Sequence, residues 1–352
     1  MRRVLDWAAL GAAVVAGGLA GDLVGVPSSY LFAAILCGLT VALRAPGRMV
    51  LPPIGFRGAQ ALTGAALGAY VQASTFTELG ARWVPVVVIS VATLLLSVGV
   101  GLAIARVSGI DRTTGALGMV AGGASGIVAM THDLGGDDRL VAFMQYLRVL
   151  LIVLFTPVLV AVFFPSAGGH PDPLGDQPLL GDPADWALAA AVAVGGAFAG
   201  TRLRLPAGVL LGPLLLSAAL AVTDFPQPFS VPPLVREVAF ALIGLQVGLR
   251  FERDTLSRIA DLVVPVIGAI VALVVVSFGF AALLSAWTGV PMLDSYLATT
   301  PGGLYAVLAI AFGSGADTTF VLAVQVLRLF VMVLIAPAVV RLLISPRPRA
   351  RA

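Results

Sequence analysis

The chain has few charged side chains and very few of the residues that usually build catalytic or metal sites. Its 352 residues include no lysine, one cysteine and two histidines, and only 11% are charged. A lone Cys37 excludes a disulfide framework, and the well-separated His132 and His170 give no support to a histidine-based metal site. No Walker motif, GxSxG or Cys/His cluster occurs in the sequence. These absences predict a protein that is not an enzyme and binds no metal or organic cofactor.

Apolar sequence is what the chain has in abundance. Hydrophobic residues make up 59% of it, and the mean hydropathy is +1.03. Repeated apolar runs of about 15–25 residues are typical of a polytopic membrane protein. The 21 basic residues, all arginines, lie mainly in short loops between these runs and form no patch that would bind nucleic acid. The lipid bilayer is therefore the first predicted partner.

The sequence is duplicated on either side of a Pro/Gly/Asp-rich linker. Segments Ala121–Pro157 and Pro301–Pro337 coincide at a shift of 180 positions, including a glycine pair, Gln-x-Leu-Arg and the final proline. Near the N-terminus the shift is 179, and there Trp7 matches Trp186. Such self-similarity predicts two copies of one structural unit. The predicted divisions are a first membrane repeat, an external linker, a second membrane repeat and a basic cytoplasmic tail, at residues 1–164, 165–185, 186–344 and 345–352.

Arginine positions indicate how many of the six apolar segments in each repeat cross the membrane. If all of them crossed, Arg202, Arg204 and Arg250 would lie outside, against the positive-inside rule. The conflict disappears if 113–135 and 295–315 each enter and leave on one side. The arginines not on the cytoplasmic side are then two external ones and two within the membrane: Arg82, Arg236, Arg148 and Arg328.

We therefore predict an all-α polytopic membrane protein with inverted repeats. Each repeat would have five crossings and one re-entrant hairpin, which gives about ten transmembrane helices and places both termini in the cytoplasm. This arrangement is typical of secondary transporters.

Glycine pairs mark the tips of the two predicted hairpins. Non-helical backbone at membrane depth is tolerated only inside protein or beside water, and the half-helix after each tip directs free N–H groups inward. Two structural alternatives to substrate binding remain. The glycines could serve helix packing, and the nearby hydroxyl groups could donate back to helix carbonyls. The candidate substrate-binding residues at the tips are Gly122, Gly123, Ser125, Thr299, Thr300, Pro301, Gly302, Gly303 and Tyr305.

One arginine lies inside an apolar helix of each repeat, at Arg148 and Arg328. A charge at this depth is costly and needs a reason. The guanidinium group could bind an anionic substrate, cap carbonyls freed by the broken hairpin, or extend to the membrane interface. Gln145 and Gln325, one turn earlier, form a polar stripe with the arginines and argue against the third interpretation. All four residues complete the predicted substrate site.

Acidic residues near the hairpins are predicted to have structural roles. Four of them, Asp133, Asp137, Asp138 and Asp317, lie in the turns between the hairpins and the following helices and are expected to cap those helices, with coupling to a proton or cation as the alternative. Asp294 lies at a segment end and is expected to be solvated. A coupling ion, sodium or a proton, is left open by the sequence.

The duplicated block resembles a known family. At 122–157 and 302–337, a glycine pair precedes D-x-x-x-V-x-x-x-Q-x-L-R and a proline, and LPAGVLLGP and IGLQVGLRF follow at 205–213 and 243–251. This pattern resembles the AbrB duplication family of bacterial membrane proteins. The resemblance implies the cytoplasmic (inner) membrane and a layout similar to the cation/proton antiporter and anion transporter superfamily.

Members of that family carry two labels, ammonia monooxygenase and AbrB family regulator. The first conflicts with the residues, because two scattered histidines cannot build a copper or iron site. The second conflicts with the absence of any soluble DNA-binding domain in the sequence, although a membrane protein can change gene expression indirectly.

Two functions from different classes follow. The first is a secondary transporter of a small solute, with anions among the candidates, that works by alternating access through the two hairpins. The alternative is a membrane sensor or regulator that affects gene expression indirectly and transports nothing. The sequence favours the first, because neither tail is long enough for a signalling domain. The expected partners are the bilayer and a small-molecule solute, without nucleic acid, and a homo-oligomer is left open.

Overall fold

The computed structural model describes residues 2–24, 26, 28–69, 73–121, 127, 131, 134–165, 178–205, 207–223, 230–250 and 260–344. Regular structure in these residues is helical, which confirms the predicted all-α class. The helices are α1 Arg2–Leu23, α2 Ser29–Arg44, α3 Pro53–Gly68, α4 Ala73–Ser108, α5 Arg112–Met119, α6 Asp138–Phe163, α7 Pro183–Arg202, α8 Gly208–Val222, α9 Pro233–Leu249, α10 Ala260–Thr288, α11 Met292–Thr299, α12 Leu304–Gly313 and α13 Thr318–Ile344.

Four helical stretches in the described chain are long and apolar enough to cross a bilayer: Trp83–Ser108, Asp138–Phe163, Pro183–Arg202 and Asp261–Thr288. Their outer surfaces are apolar as well. On α10, for example, Val264, Val271 and Val275 are all more than half exposed, and their spacing places them on one side of the helix. Apolar surface of this extent belongs against lipid. The helices are therefore those of a membrane-associated protein, and the count of ten crossings stays a prediction.

Turn geometry follows the spacing of the sequence repeat. The residues before α2 and α8, Ser28 and Ala207, both have left-handed backbones with φ of 53° and 52°. Gly135 and Gly315, which precede α6 and α13, also have positive φ, at 76° and 68°. The short helices α5 and α11 each contain eight residues. Equivalent positions in the two repeats thus have equivalent local structure.

The chain forms two compact units, and each contains segments of both repeats. The first unit comprises Met1–Arg82, Val153–Ser257 and Leu304–Ala323. The second comprises Trp83–Ile152, Arg258–Gly303 and Val324–Ala352.

Helices of the two repeats pack closely in the first unit, where α2 contacts α9 and α3 contacts α8. Glycines allow the backbones to approach. A Cβ atom on Gly64 would lie 2.2 Å from the carbonyl oxygen of Leu210, and one on Gly244 would lie 2.4 Å from that of Leu31. No side chain fits at those distances, so the small residues serve packing here.

The second unit has a core built from both repeats. Leu117 of α5, Val141 of α6 and Met332 of α13 are fully buried in one apolar cluster. The helix that follows the second predicted hairpin therefore packs against the short helix of the first.

Candidate functional site

Two helix ends are buried inside the second unit. Helix α5 ends at Met119 and continues into extended backbone at Val120, while α11 ends at Thr299 and continues into extended backbone at Thr300. All four residues are at most 2% exposed. A buried helix C-terminus leaves its last carbonyl groups without partners and carries the negative end of the helix dipole. These ends therefore need hydrogen-bond donors from elsewhere in the chain.

Arg148 and Gln145 of α6 supply the donors for α5. Arg148 Nη1 donates to the carbonyl oxygens of Met119 and Val120, at 3.0 and 2.9 Å. Gln145 Nε2 donates to those of Leu117 and Val120, at 2.7 and 2.8 Å. Arg148 Nη2 also donates to Gln145 Oε1 at 2.8 Å, which holds the two side chains together. We call this group of residues the first carbonyl cap.

The same arrangement recurs 180 residues later, at the end of α11. Arg328 Nη1 donates to the carbonyl oxygens of Thr299 and Thr300, at 3.1 and 2.6 Å. Gln325 Nε2 donates to those of Leu297 and Thr300, at 2.8 and 3.3 Å, and its Oε1 accepts from Arg328 Nη2 at 2.5 Å. This group is the second carbonyl cap.

These contacts distinguish between the interpretations left open for the arginines. Arg148 and Arg328 are 2% and 4% exposed, so neither guanidinium reaches the interface. Both make the hydrogen bonds that a carbonyl-capping role requires. Capping does not use the whole group, however, because the Nε atoms of both arginines are buried without a hydrogen-bond partner among the described residues.

The two caps also leave positive charge inside the unit. No ion pair joins Arg148 or Arg328 to a carboxylate in the described part of the chain. Both guanidinium groups are buried in this unit. Each helix C-terminus contributes only about half a negative charge. Within the described residues, the positive charges of Arg148 and Arg328 are therefore compensated only in part.

The predicted tip of the second hairpin lies against α6. Pro301 and Gly302 are buried and Gly303 is partly buried. A Cβ atom on Gly303 would lie 3.2 Å from Cγ1 of Val149, the neighbour of Arg148 in α6. Gly303 of the second repeat thus lies against α6 of the first repeat, at the residue that follows Arg148.

The hydroxyl groups next to this tip donate hydrogen bonds to carbonyl groups of their own helix, α11. Thr299 Oγ1 donates to the carbonyl oxygen of Ser295 at 2.8 Å, and Thr300 Oγ1 donates to that of Tyr296 at 2.7 Å. They make the back-bonds that were the alternative to contact with a solute.

The other predicted tip residues lie outside the described part of the chain. Gly122, Gly123 and Ser125 are not among the described residues. Tyr305 is in the first turn of α12, and its side chain is likewise outside the description.

Two of the acidic residues cap helices as expected, and Asp133 lies outside the described residues. Asp137 Oδ1 accepts from the amide groups of Arg139 and Leu140 at the start of α6, at 2.9 and 3.1 Å. Asp317 Oδ1 accepts from the amide of Phe320 in α13 at 2.9 Å.

The prediction for Asp294 is wrong, because its side chain is buried, with 6% exposure. It lies in the first turn of α11, where the positive end of the helix dipole stabilises a carboxylate.

Comparison with known proteins places the chain in one family. A family model described as "Transition state regulatory protein AbrB" matches residues 30–344. The "Putative regulator AbrB" of Escherichia coli (strain K12) is 33% identical over 329 residues, which covers 93% of each chain. The "Uncharacterized protein YhjN" of Bacillus subtilis (strain 168) is 26% identical over 347 residues, covering 93% of this chain and 90% of the relative. The chain belongs to the AbrB family.

Proposed function

We propose that this protein is a secondary transporter that moves a small anionic solute by alternating access through its two glycine-broken hairpins. It would lie in the cytoplasmic (inner) membrane of a bacterium, with ten crossings and both termini in the cytoplasm. The observation that supports this most is the pair of buried carbonyl caps, each of which holds an arginine at the end of a short helix.

The choice of arginine for the caps favours an anionic solute. Neutral donors such as glutamine or serine can satisfy buried carbonyl groups without the cost of burying a charge. This chain instead buries Arg148 and Arg328, and each has an Nε donor unused within the described chain. A transported anion would compensate the positive charge and accept from these donors.

The second hairpin adds to the attraction for anions. Helix α12 begins at Leu304, directly after the buried Pro301 and Gly302 and the partly buried Gly303. Its first amide groups have no partner within the helix and carry the positive end of the dipole. Half-helix ends of this kind bind anionic substrates in transporters built from inverted repeats.

A thermal-shift screen followed by transport measurements tests the proposal. The purified protein is screened against phosphate, sulfate, carboxylates, amino acids and ammonium, with and without sodium and across pH. Any compound that raises the melting temperature is then supplied in radiolabelled form to proteoliposomes. We expect stabilisation by at least one anion and its saturable counterflow. Stabilisation by ammonium alone, with no anion bound, would overturn the anionic assignment.

The name of the Escherichia coli relative favours a second candidate function, that of a regulator. A membrane sensor would bind the solute without moving it. The same proteoliposomes separate the two functions, because a sensor gives a thermal shift but no counterflow for the same compound. Such a result would replace the transporter assignment.

A further inference from the structure

A groove lies between α1 and α2, within the first compact unit. It encloses about 430 Å³, within the size range of small-ligand sites. Small residues on α1, Ala9 and Ala13, leave space opposite Leu36 and Cys37 of α2. The hydroxyl of Thr40 donates to the carbonyl oxygen of Leu36 at 2.7 Å, so it is already satisfied within its own helix. The body of the groove is therefore an apolar surface.

One end of the groove is charged. Arg48 donates to both carboxylate oxygens of Asp6, with Nη2 2.8 Å from each of them. Arg44, in the last turn of α2, lines the same end and is exposed. Among the described residues, the Arg44 side chain makes no hydrogen bond or ion pair, in contrast to Arg48. The three groups together carry one net positive charge, and Arg44 is the cation that remains available.

We propose that this groove binds one anionic phospholipid, with its phosphate on Arg44 and an acyl chain along Ala9, Ala13 and Leu36. Charge complementarity favours a phospholipid as the ligand, because an acyl chain matches the apolar groove and its phosphate matches the unpaired arginine at the end of the groove. The predicted topology places Arg44 and Arg48 at the cytoplasmic surface, where anionic lipids attract basic residues. The inference requires a bilayer but does not require transport.

Cys37, the only cysteine of the chain, lines the groove and is partly exposed, so it reports on occupancy without any engineering. The full-length protein in mixed micelles is treated with N-ethylmaleimide, and the alkylation rate of Cys37 is measured by mass spectrometry. Phosphatidylglycerol or phosphatidylcholine with the same acyl chains is added in parallel. We expect slower alkylation with phosphatidylglycerol, at lower lipid concentrations than with phosphatidylcholine.

Arg44→Gln tests the proposed phosphate contact. We expect the phosphatidylglycerol concentration needed for half-maximal protection to rise about fivefold. Arg57→Gln is the matched control, because Arg57 is exposed on α3 and does not line the groove. It should leave the protection curve unchanged.

Three results would overturn the lipid site: no protection by either lipid, equal protection by both, or equal effects of the two substitutions. Counterflow of a solute in proteoliposomes is measured separately and bears only on the proposed transport. A protein that transports without lipid protection refutes the groove alone, and one that is protected without transporting refutes the transporter alone.

Discussion

At the scale of single residues, the guanidinium groups of Arg148 and Arg328 are well suited to capping several backbone carbonyls. A planar guanidinium group donates in several directions at once, which lets Arg148 bond two carbonyl oxygens and Gln145 together. Sequence reasoning identified Arg148, Arg328 and both glutamines, because polar residues recurring in apolar helices are conspicuous. It could not choose between their roles, since the acceptors are backbone atoms and leave no residue signature.

Replacement of either arginine by lysine should lower stability. In Arg148→Lys and Arg328→Lys, a single ammonium group cannot reach all three acceptors, and each carbonyl left unpaired costs roughly 1–3 kcal/mol. We expect a lower melting temperature for both variants in detergent. Arg57→Lys, at an exposed position, is the control and should melt like the wild type. Unchanged melting of both cap variants would contradict the capping role.

Substitutions of Gln325 separate the capping role from the charge. Gln325→Glu removes the donors to Leu297 and Thr300 but neutralises Arg328, whereas Gln325→Leu removes the same donors and keeps the charge. If charge attracts the solute, the glutamate variant should lose binding of the anion found by thermal shift, and the leucine variant should retain it at reduced stability. Isothermal titration with that anion checks both. Tight binding by the glutamate variant would mean that the charge serves structure alone.

At the scale of elements, the two short helices were predictable in position but not in their ends. The glycine pairs indicate broken hairpins, yet α11 already ends at Thr299, before the glycines. The cause is Pro301, because the residue before a proline is restricted to extended backbone, and Thr300 has ψ 126°. In the first repeat the extended residue is Val120, which is followed by Ala121 and has no proline to explain it.

Bulk at the second hairpin tip should block function without preventing insertion. Gly303→Val adds a β-branched side chain where even a Cβ atom would lie 3.2 Å from Val149. We expect normal amounts in the membrane fraction and loss of solute counterflow. Gly279→Val is the matched control, because nothing lies within 4 Å of a Cβ atom at that position of α10. Equal counterflow in the two variants would reduce Gly303 to a packing residue.

At the scale of the whole molecule, the sequence predicted the helical class and the membrane character, because both follow from apolar length and composition. It did not predict which helices pack together. Both compact units contain segments of both repeats, and in the first unit α2 packs with α9 and α3 with α8. The sequence repeat shows the order of equivalent segments along the chain but not which segments pack together. These contacts depend on glycines such as Gly64 and Gly244, which lie against backbone that is far away in sequence.

The side of the membrane that carries the linker distinguishes the two topologies. With a cytoplasmic N-terminus, five crossings per repeat place residues 165–185 outside, whereas six crossings place them inside. Leu179 lies in that linker and is 62% exposed, so Leu179→Cys in a Cys37→Ala background provides an accessible thiol.

A membrane-impermeant maleimide reads the position of that thiol in spheroplasts. We expect Leu179→Cys to react in intact spheroplasts, and Val107→Cys, at the predicted cytoplasmic end of α4 and 79% exposed, to react only after lysis. Val107 is at least as exposed as Leu179, so a lack of labelling of Val107→Cys before lysis would show that the reagent does not cross the membrane. A linker thiol that also reacts only after lysis would require six crossings in the first repeat, and the predicted hairpin at 113–135 would then have to span the membrane.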